Sequence, residues 1–80
     1  MAVNNMKHHV RGRFPNQKDR IDLLMAQDSE FLGLSEDYDT CVNALRYWAR
    51  SNAPEAENRV IDYHTLIEEL EEEISQLLAT

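Results

Sequence analysis

The chain has little of the residues that build covalent or metal-bound frameworks. Among its 80 residues Cys41 is the only cysteine, which excludes an intramolecular disulfide and any four-cysteine zinc site and fits a reducing compartment. No run of apolar residues approaches the roughly eighteen that a membrane span requires, and no apolar region follows the basic residues near the start. We therefore expect a soluble, cytoplasmic protein with neither a membrane span nor a secretory signal.

Glycine and proline are also scarce, with two of each, and this leaves long stretches free to be helical. Two such stretches carry apolar residues at alternating spacings of three and four, separated by a loop that contains Pro54. This spacing predicts an all-α fold, an antiparallel two-helix, coiled-coil-like hairpin with a short preceding N-terminal helix. The two stripes consist of Phe31, Leu34, Tyr38, Cys41, Leu45 and Trp48, then Val60, Tyr63, Ile67, Leu70, Ile74 and Leu77.

The start and stop signals predict helices near 17–27, 30–51 and 55–78. Asp28, Ser29 and Glu30 form a helix start signal, whereas Gly33 favours an alternative break with Ser35 as the N-cap. Residues 1–14 lack apolar periodicity, so they are predicted to be a flexible basic tail preceding a hairpin domain over 15–80.

A chain of this size buries only a modest core, so a third packing element or self-association is expected. The first helix would supply that element through Ile21, Leu24 and Met25, near Phe31 and Leu34. In the hairpin itself, Leu45 and Ile67 should be more buried than Asp39 and Glu71. Off-seam apolar residues widen the stripes beyond one two-helix contact and favour a symmetric dimer; they are Val42, Ala49, Ile61, Leu66 and Leu78.

The net charge of −7 is unevenly distributed along the chain. Residues 1–20 hold five lysines and arginines against Asp19, whereas the remaining sixty residues hold three arginines against fourteen acids. Such a basic segment can contact nucleic acid, an acidic partner or the chain's own acidic body. The body's balance of −11 would repel a polyanion, which disfavours nucleic acid.

No group of residues has the spacing of a catalytic, cofactor or metal site. His8 and His9 are adjacent and lack further ligands, and His64 has no evident serine or aspartate partner. Cys41 lies on an apolar stripe, where a thiol packs as a small hydrophobe. The acidic run over 68–73 is typical of a solvated helix face. We therefore expect no enzymatic activity and no cofactor.

Exposed aromatic and cationic residues are the best candidates for partner binding. Tyr47 and Arg50 belong to residue types that often dominate interfaces. In the basic segment the corresponding candidates are Lys7, Arg11 and Arg13. The sequence thus predicts a protein–protein interaction or self-assembly module that binds its own copy or a helical protein. The alternative is a small nucleic-acid-associated regulator that uses the basic arm.

Three stretches resemble the small YdcH-like proteins, a domain-of-unknown-function family of short bacterial helical hairpins. Phe14 and Pro15 precede a short helix, a D-x-x-F-x-x-L-x-x-x-Y pattern follows from Asp28 to Tyr38, and residues 70–74 are similar to the family's L-K-D-E-I. The resemblance implies an antiparallel hairpin in a bacterial cytoplasm and transfers no catalytic residues. This chain departs from the family where its basic residues are replaced by Glu68, Glu69 and Glu71.

Overall fold

The computed structural model of the chain describes residues 9–80, and every regular element among them is helical. Helix α3 (Ser29–Ala49) and helix α4 (Ala56–Ala79) are the longest and pack against each other. Before them come α1 (His9–Arg13), a 3-10 turn (Pro15–Gln17) and α2 (Lys18–Gln27), and both α1 and α2 contact α3. The all-α prediction is therefore confirmed. Within residues 9–80 no helix is long and apolar enough to cross a membrane.

Asp28 both ends α2 and begins α3. Its backbone N–H donates to the Leu24 carbonyl oxygen at 2.8 Å. Its carboxylate Oδ1 accepts from the N–H groups of Glu30 and Phe31 at 3.0 and 3.2 Å, which satisfies two amides of the first turn of α3. The predicted start signal is thus confirmed, and Asp28 is the single residue between the two helices.

Helix α3 continues through Gly33 without a break, so the alternative start at Ser35 is wrong. Ser35 is fully buried within α3, where its side chain has no hydrogen-bond partner among the described residues. The cap at Asp28 and the complete burial of Phe31 fix the first turn of α3. These tertiary and capping contacts outweigh the low helix propensity of one glycine.

Gly33→Ala is expected to raise the free energy of unfolding by about 0.5–1 kcal/mol. A methyl group at this position would meet no atom within 4 Å outside the local helix, and alanine reduces the conformational entropy of the unfolded chain. Urea unfolding followed by circular dichroism measures the change. A loss of stability would contradict the regular helical backbone at Gly33.

The core lies where α1 and α2 cover the α3–α4 pair. Val10, Ile21, Phe31 and Ile74 have no exposed surface, and one residue comes from each of the four helices. Other α2 and α3 residues, including Leu24, Met25 and Leu34, pack around them. The prediction that the short first helix supplies a third packing element is confirmed.

The predicted flexible tail differs from the structure over residues 9–14. Residues 9–13 form α1, Val10 is completely buried and the backbone N–H of His9 donates to Asp39 Oδ1 at 2.8 Å. A single buried valine with a backbone anchor orders a segment that has no apolar periodicity of its own. Residues 1–8, with Lys7 and His8, lie outside the described residues.

Burial along the hairpin agrees only in part with the expected pattern. Ile67 is 9% exposed, so it is buried, whereas Glu71 is half-buried, as predicted. Leu45 and Asp39 are both half-buried, so the predicted order of their burial stays a prediction. Asp39 Oδ1 accepts the backbone N–H of His9 from α1, and Leu45 packs against the buried core cluster.

Candidate interaction surface

The apolar stripes lose their cover near the connection between α3 and α4, residues 50–55. Trp48, Val60 and Tyr63 occupy stripe positions there and are only half-buried. Tyr47 and Ile61 flank the stripes and are 65% and 61% exposed. We call this part of the α3–α4 pair, residues 43–63, the loop end. It combines aliphatic and aromatic groups that a small domain ordinarily buries.

A cleft of about 550 Å³ lies at the loop end, with Trp48, Pro54, Val60 and Ile61 among its lining residues. The Ser51 hydroxyl accepts the N–H of Ala53 at 3.1 Å and so shapes the turn beside it. Tyr47 and Trp48 make an edge-to-face contact, with ring centroids 5.1 Å apart. An aromatic pair beside a wide cleft with both polar and apolar lining residues is suited to bind another protein's side chains.

The loop end is also the part of the hairpin in which charges balance. Between residues 43 and 63 the chain has Arg46, Arg50 and Arg59 against three acids, Glu55, Glu57 and Asp62. The other eleven acids of residues 21–80 lie in residues 21–42 and 64–80, and these two ranges contain no lysine or arginine. A second acidic chain can therefore approach the loop end without net repulsion.

A polar network ties α1, α3 and α4 together at the other end. The Tyr38 hydroxyl donates to Glu71 Oε2 at 2.6 Å, and Arg13 Nε lies 3.0 Å from the same oxygen. Burial of the Tyr38 ring and the neighbouring Glu71 carboxylate both raise the pKa of the Tyr38 hydroxyl well above its usual range. Tyr38 is therefore held as a neutral donor that anchors the glutamate, which is a structural arrangement rather than an acid–base pair.

We expect stability to fall at alkaline pH because of Tyr38. Its pKa is raised in the folded state, so above the ordinary value of 10 the unfolded chain loses a proton that the folded chain keeps. The stability that the protonated Tyr38 hydroxyl contributes is fully present below pH 10. Above pH 10 the free energy of unfolding declines by up to about 1.4 kcal/mol per pH unit. Urea midpoints between pH 8 and pH 11 measure this slope. Tyr38→Phe should flatten it, whereas an unchanged slope would contradict the assignment, and Tyr63→Phe is the matched control.

The predicted partner-binding residues fall into two separate places. Tyr47 and Arg50 are exposed at the loop end. Arg11 forms an ion pair with Asp22, with Nε 3.1 Å from Oδ1, and Arg13 pairs with Glu71. Lys7 is outside the described residues. The structure thus groups Tyr47 and Arg50 and separates them from the basic segment, where Arg11 and Arg13 pair with acids and Arg20 Nε donates to the Leu78 carbonyl oxygen at 3.2 Å.

At the loop end Trp48 lacked a binding prediction, whereas Ile61 was predicted only as off-seam apolar surface that favours a dimer. The sequence placed Trp48 on the seam, and the signal for Ile61 was its off-seam position.

In the described part of the chain no three histidine, cysteine or acidic side chains come close enough to hold a metal ion. His64 lies on the surface, with Nδ1 3.5 Å from Glu68 Oε2.

No family model, curated protein or solved structure matches the chain.

Proposed function

We propose that the chain is a non-enzymatic interaction module, an antiparallel helical hairpin that forms a homodimer through its loop end. One observation carries the proposal. The same apolar stripes that are fully buried at Phe31 and Ile74 are only half-buried at the loop end, and the flanking Ile61 there is 61% exposed. Apolar surface of this kind is stabilised when a second protein covers it.

Pairs of residues along α3 and α4 support the antiparallel arrangement. Tyr38, midway along α3, bonds Glu71 in the second half of α4, whereas Trp48 near the end of α3 shares a cleft with Ile61 near the start of α4. As position along α3 advances, the contacted position along α4 recedes. The loop end is therefore a closed tip at which two copies can meet through the same patch.

A second copy is the occupant that fits the charges best. Two chains that met through their acidic segments would bring like charges together, whereas the loop end carries three arginines and three carboxylates. In a two-fold contact the Arg50 of each copy can approach the acids of the other. The contact then combines an apolar centre with a mixed-charge rim, as protein interfaces do.

The nucleic-acid alternative has weaker support. The two described arginines of the basic segment that were candidates for phosphate contact, Arg11 and Arg13, already pair with Asp22 and Glu71. Binding a phosphate would require breaking these pairs near an acidic body. We therefore retain a protein partner as the proposed function.

Sedimentation velocity across a hundredfold range of concentration tests the proposal. The chain is expected to shift from monomer to dimer, and the double variant Tyr47→Ala and Ile61→Ser should weaken dimerisation by about tenfold to a hundredfold. Leu23→Ser is the matched control, because Leu23 is 47% exposed on α2, away from the loop end. It should leave the dimer constant unchanged.

The outcomes separate the partners. A chain that stays monomeric at every concentration would contradict the homodimer and leave a different helical protein as the occupant of the loop end. Equal weakening by Leu23→Ser would place the contact elsewhere. Retained helicity by circular dichroism shows that each variant is folded, so a lost dimer is not a lost fold.

A further inference from the structure

A second, smaller cleft lies midway along the hairpin, between α3 and α4. Its lining includes Cys41 from α3 and Leu66 and Leu70 from α4, and its volume is about 260 Å³. Leu66 is 43% exposed, whereas Cys41 and Leu70 are half-buried. We call this the mid-hairpin cleft. It is smaller than the roughly 300–1,000 Å³ of small-molecule sites and suits a single apolar side chain.

Three carboxylates surround this apolar floor. Asp37 lines the cleft from α3, and Glu69 and Glu73 line it from α4. All three are exposed, and none has an ion-pair partner within residues 9–80. Glu69 and Glu73 are four residues apart and therefore share a helix face with Leu66 and Leu70.

We infer that the mid-hairpin cleft binds a basic amphipathic helix of another protein, which inserts one apolar side chain between α3 and α4 and places lysines or arginines against Asp37, Glu69 and Glu73. Charge complementarity identifies this occupant. A second copy of the chain would bring its own acidic segment to three unpaired carboxylates, so it fits this cleft poorly. The cleft is separate from the loop end, and the inference does not depend on dimerisation.

The apolar and ionic parts of the cleft have different roles in this recognition. Exposed carboxylates at a rim steer a basic partner and set its register, but each contributes little to affinity. The partner's apolar side chain supplies the affinity by covering Leu66 and the Cys41 thiol. Burial, together with nearby Asp37, raises the pKa of that thiol, which agrees with an apolar and negatively charged setting.

Cys41 makes the cleft directly observable, because it is the only cysteine in the chain. The probe is a cysteine-free helical peptide with one leucine and with lysines three and four residues to either side of it. At a peptide concentration ten times its dissociation constant, alkylation of Cys41 by neutral iodoacetamide should slow about tenfold, since only about a tenth of the clefts stay open. A peptide with serine in place of the leucine should protect far less.

Two charge reversals on α4 form a matched pair. Glu69→Lys should weaken peptide binding about fivefold at low salt, whereas Glu72→Lys, an exposed neighbour outside the cleft, should change it much less. If the two variants weakened peptide binding equally, or if the serine peptide protected Cys41 as well as the leucine peptide, binding would be non-specific attraction between opposite charges. Either result would overturn the inference. Protection of Cys41 that rises with the chain's own concentration, without peptide, would identify a second copy as the occupant and overturn it as well.

Discussion

Replacing Phe31 by alanine is expected to lower the free energy of unfolding by about 3–5 kcal/mol. Among residues 9–80, Phe31 is the largest side chain with no exposed surface, and it belongs to one buried cluster with Val10 of α1, Ile21 of α2 and Ile74 of α4. The cavity left by a phenyl ring cannot collapse without moving these helices. Urea denaturation monitored by circular dichroism measures the loss.

Leu23→Ala is the control for this truncation. Leu23 is 47% exposed on α2, so its loss should cost under about 0.5 kcal/mol. If Phe31→Ala also cost under 1 kcal/mol, Phe31 would not be in the core and the packing of α2 on α3 would be contradicted.

The second large effect is expected at Val10. Val10→Asp should lower the free energy of unfolding by more than about 3 kcal/mol, because it places a charge without a partner where a fully buried valine packs. In a flexible tail, which the sequence predicts, the same substitution would leave the free energy of unfolding unchanged. This variant therefore distinguishes the structure from the sequence-based prediction. Thermal and urea unfolding both measure it.

Gly12→Asp introduces the same side chain two residues later and serves as the control. Gly12 is exposed, and a Cβ there would meet no atom within 4 Å. Its substitution should change stability by less than about 0.5 kcal/mol. A similar loss from both variants would indicate that added negative charge, rather than burial of Val10, causes the effect.

The long helices were predictable because their signals repeat. Apolar residues at spacings of three and four recur through α3 and α4. Aspartate is a common N-cap residue, and the side chain of Asp28 caps α3 in this way. The predicted bounds of 30–51 and 55–78 differ from Ser29–Ala49 and Ala56–Ala79 by at most two residues. Local chemistry was sufficient for these elements.

Helix α1 was not predictable, since nothing local stabilises it. Five residues cannot form a stable isolated helix, and this one contains Gly12 and the β-branched Val10. Its order depends on Asp39, thirty residues away, and on Glu71, far along α4. Sequence spacing does not reveal such distant partners.

The candidate surfaces divide in the same way. The exposure of Tyr47 was expected from its off-seam position, and Ile61 was noted as surplus apolar surface. The mid-hairpin cleft needs Asp37 and Cys41 beside residues of α4, and only the packing of the two helices brings these side chains together. The acidic run, interpreted from sequence as a solvated face, thus contributes Glu71 to a half-buried network and Glu69 to a cleft rim.

The position of α1 has an electrostatic consequence. Arg13 lies against Glu71, so α1 acts as a tethered counter-ion for the acidic half of the hairpin. Whenever α1 detaches, the hairpin loses this compensation, its field becomes more negative, and mobile cations must replace the arginine. Rising ionic strength therefore weakens the ion pair that holds α1 while reducing repulsion among the remaining carboxylates, so salt has two opposing effects on the acidic part of the molecule.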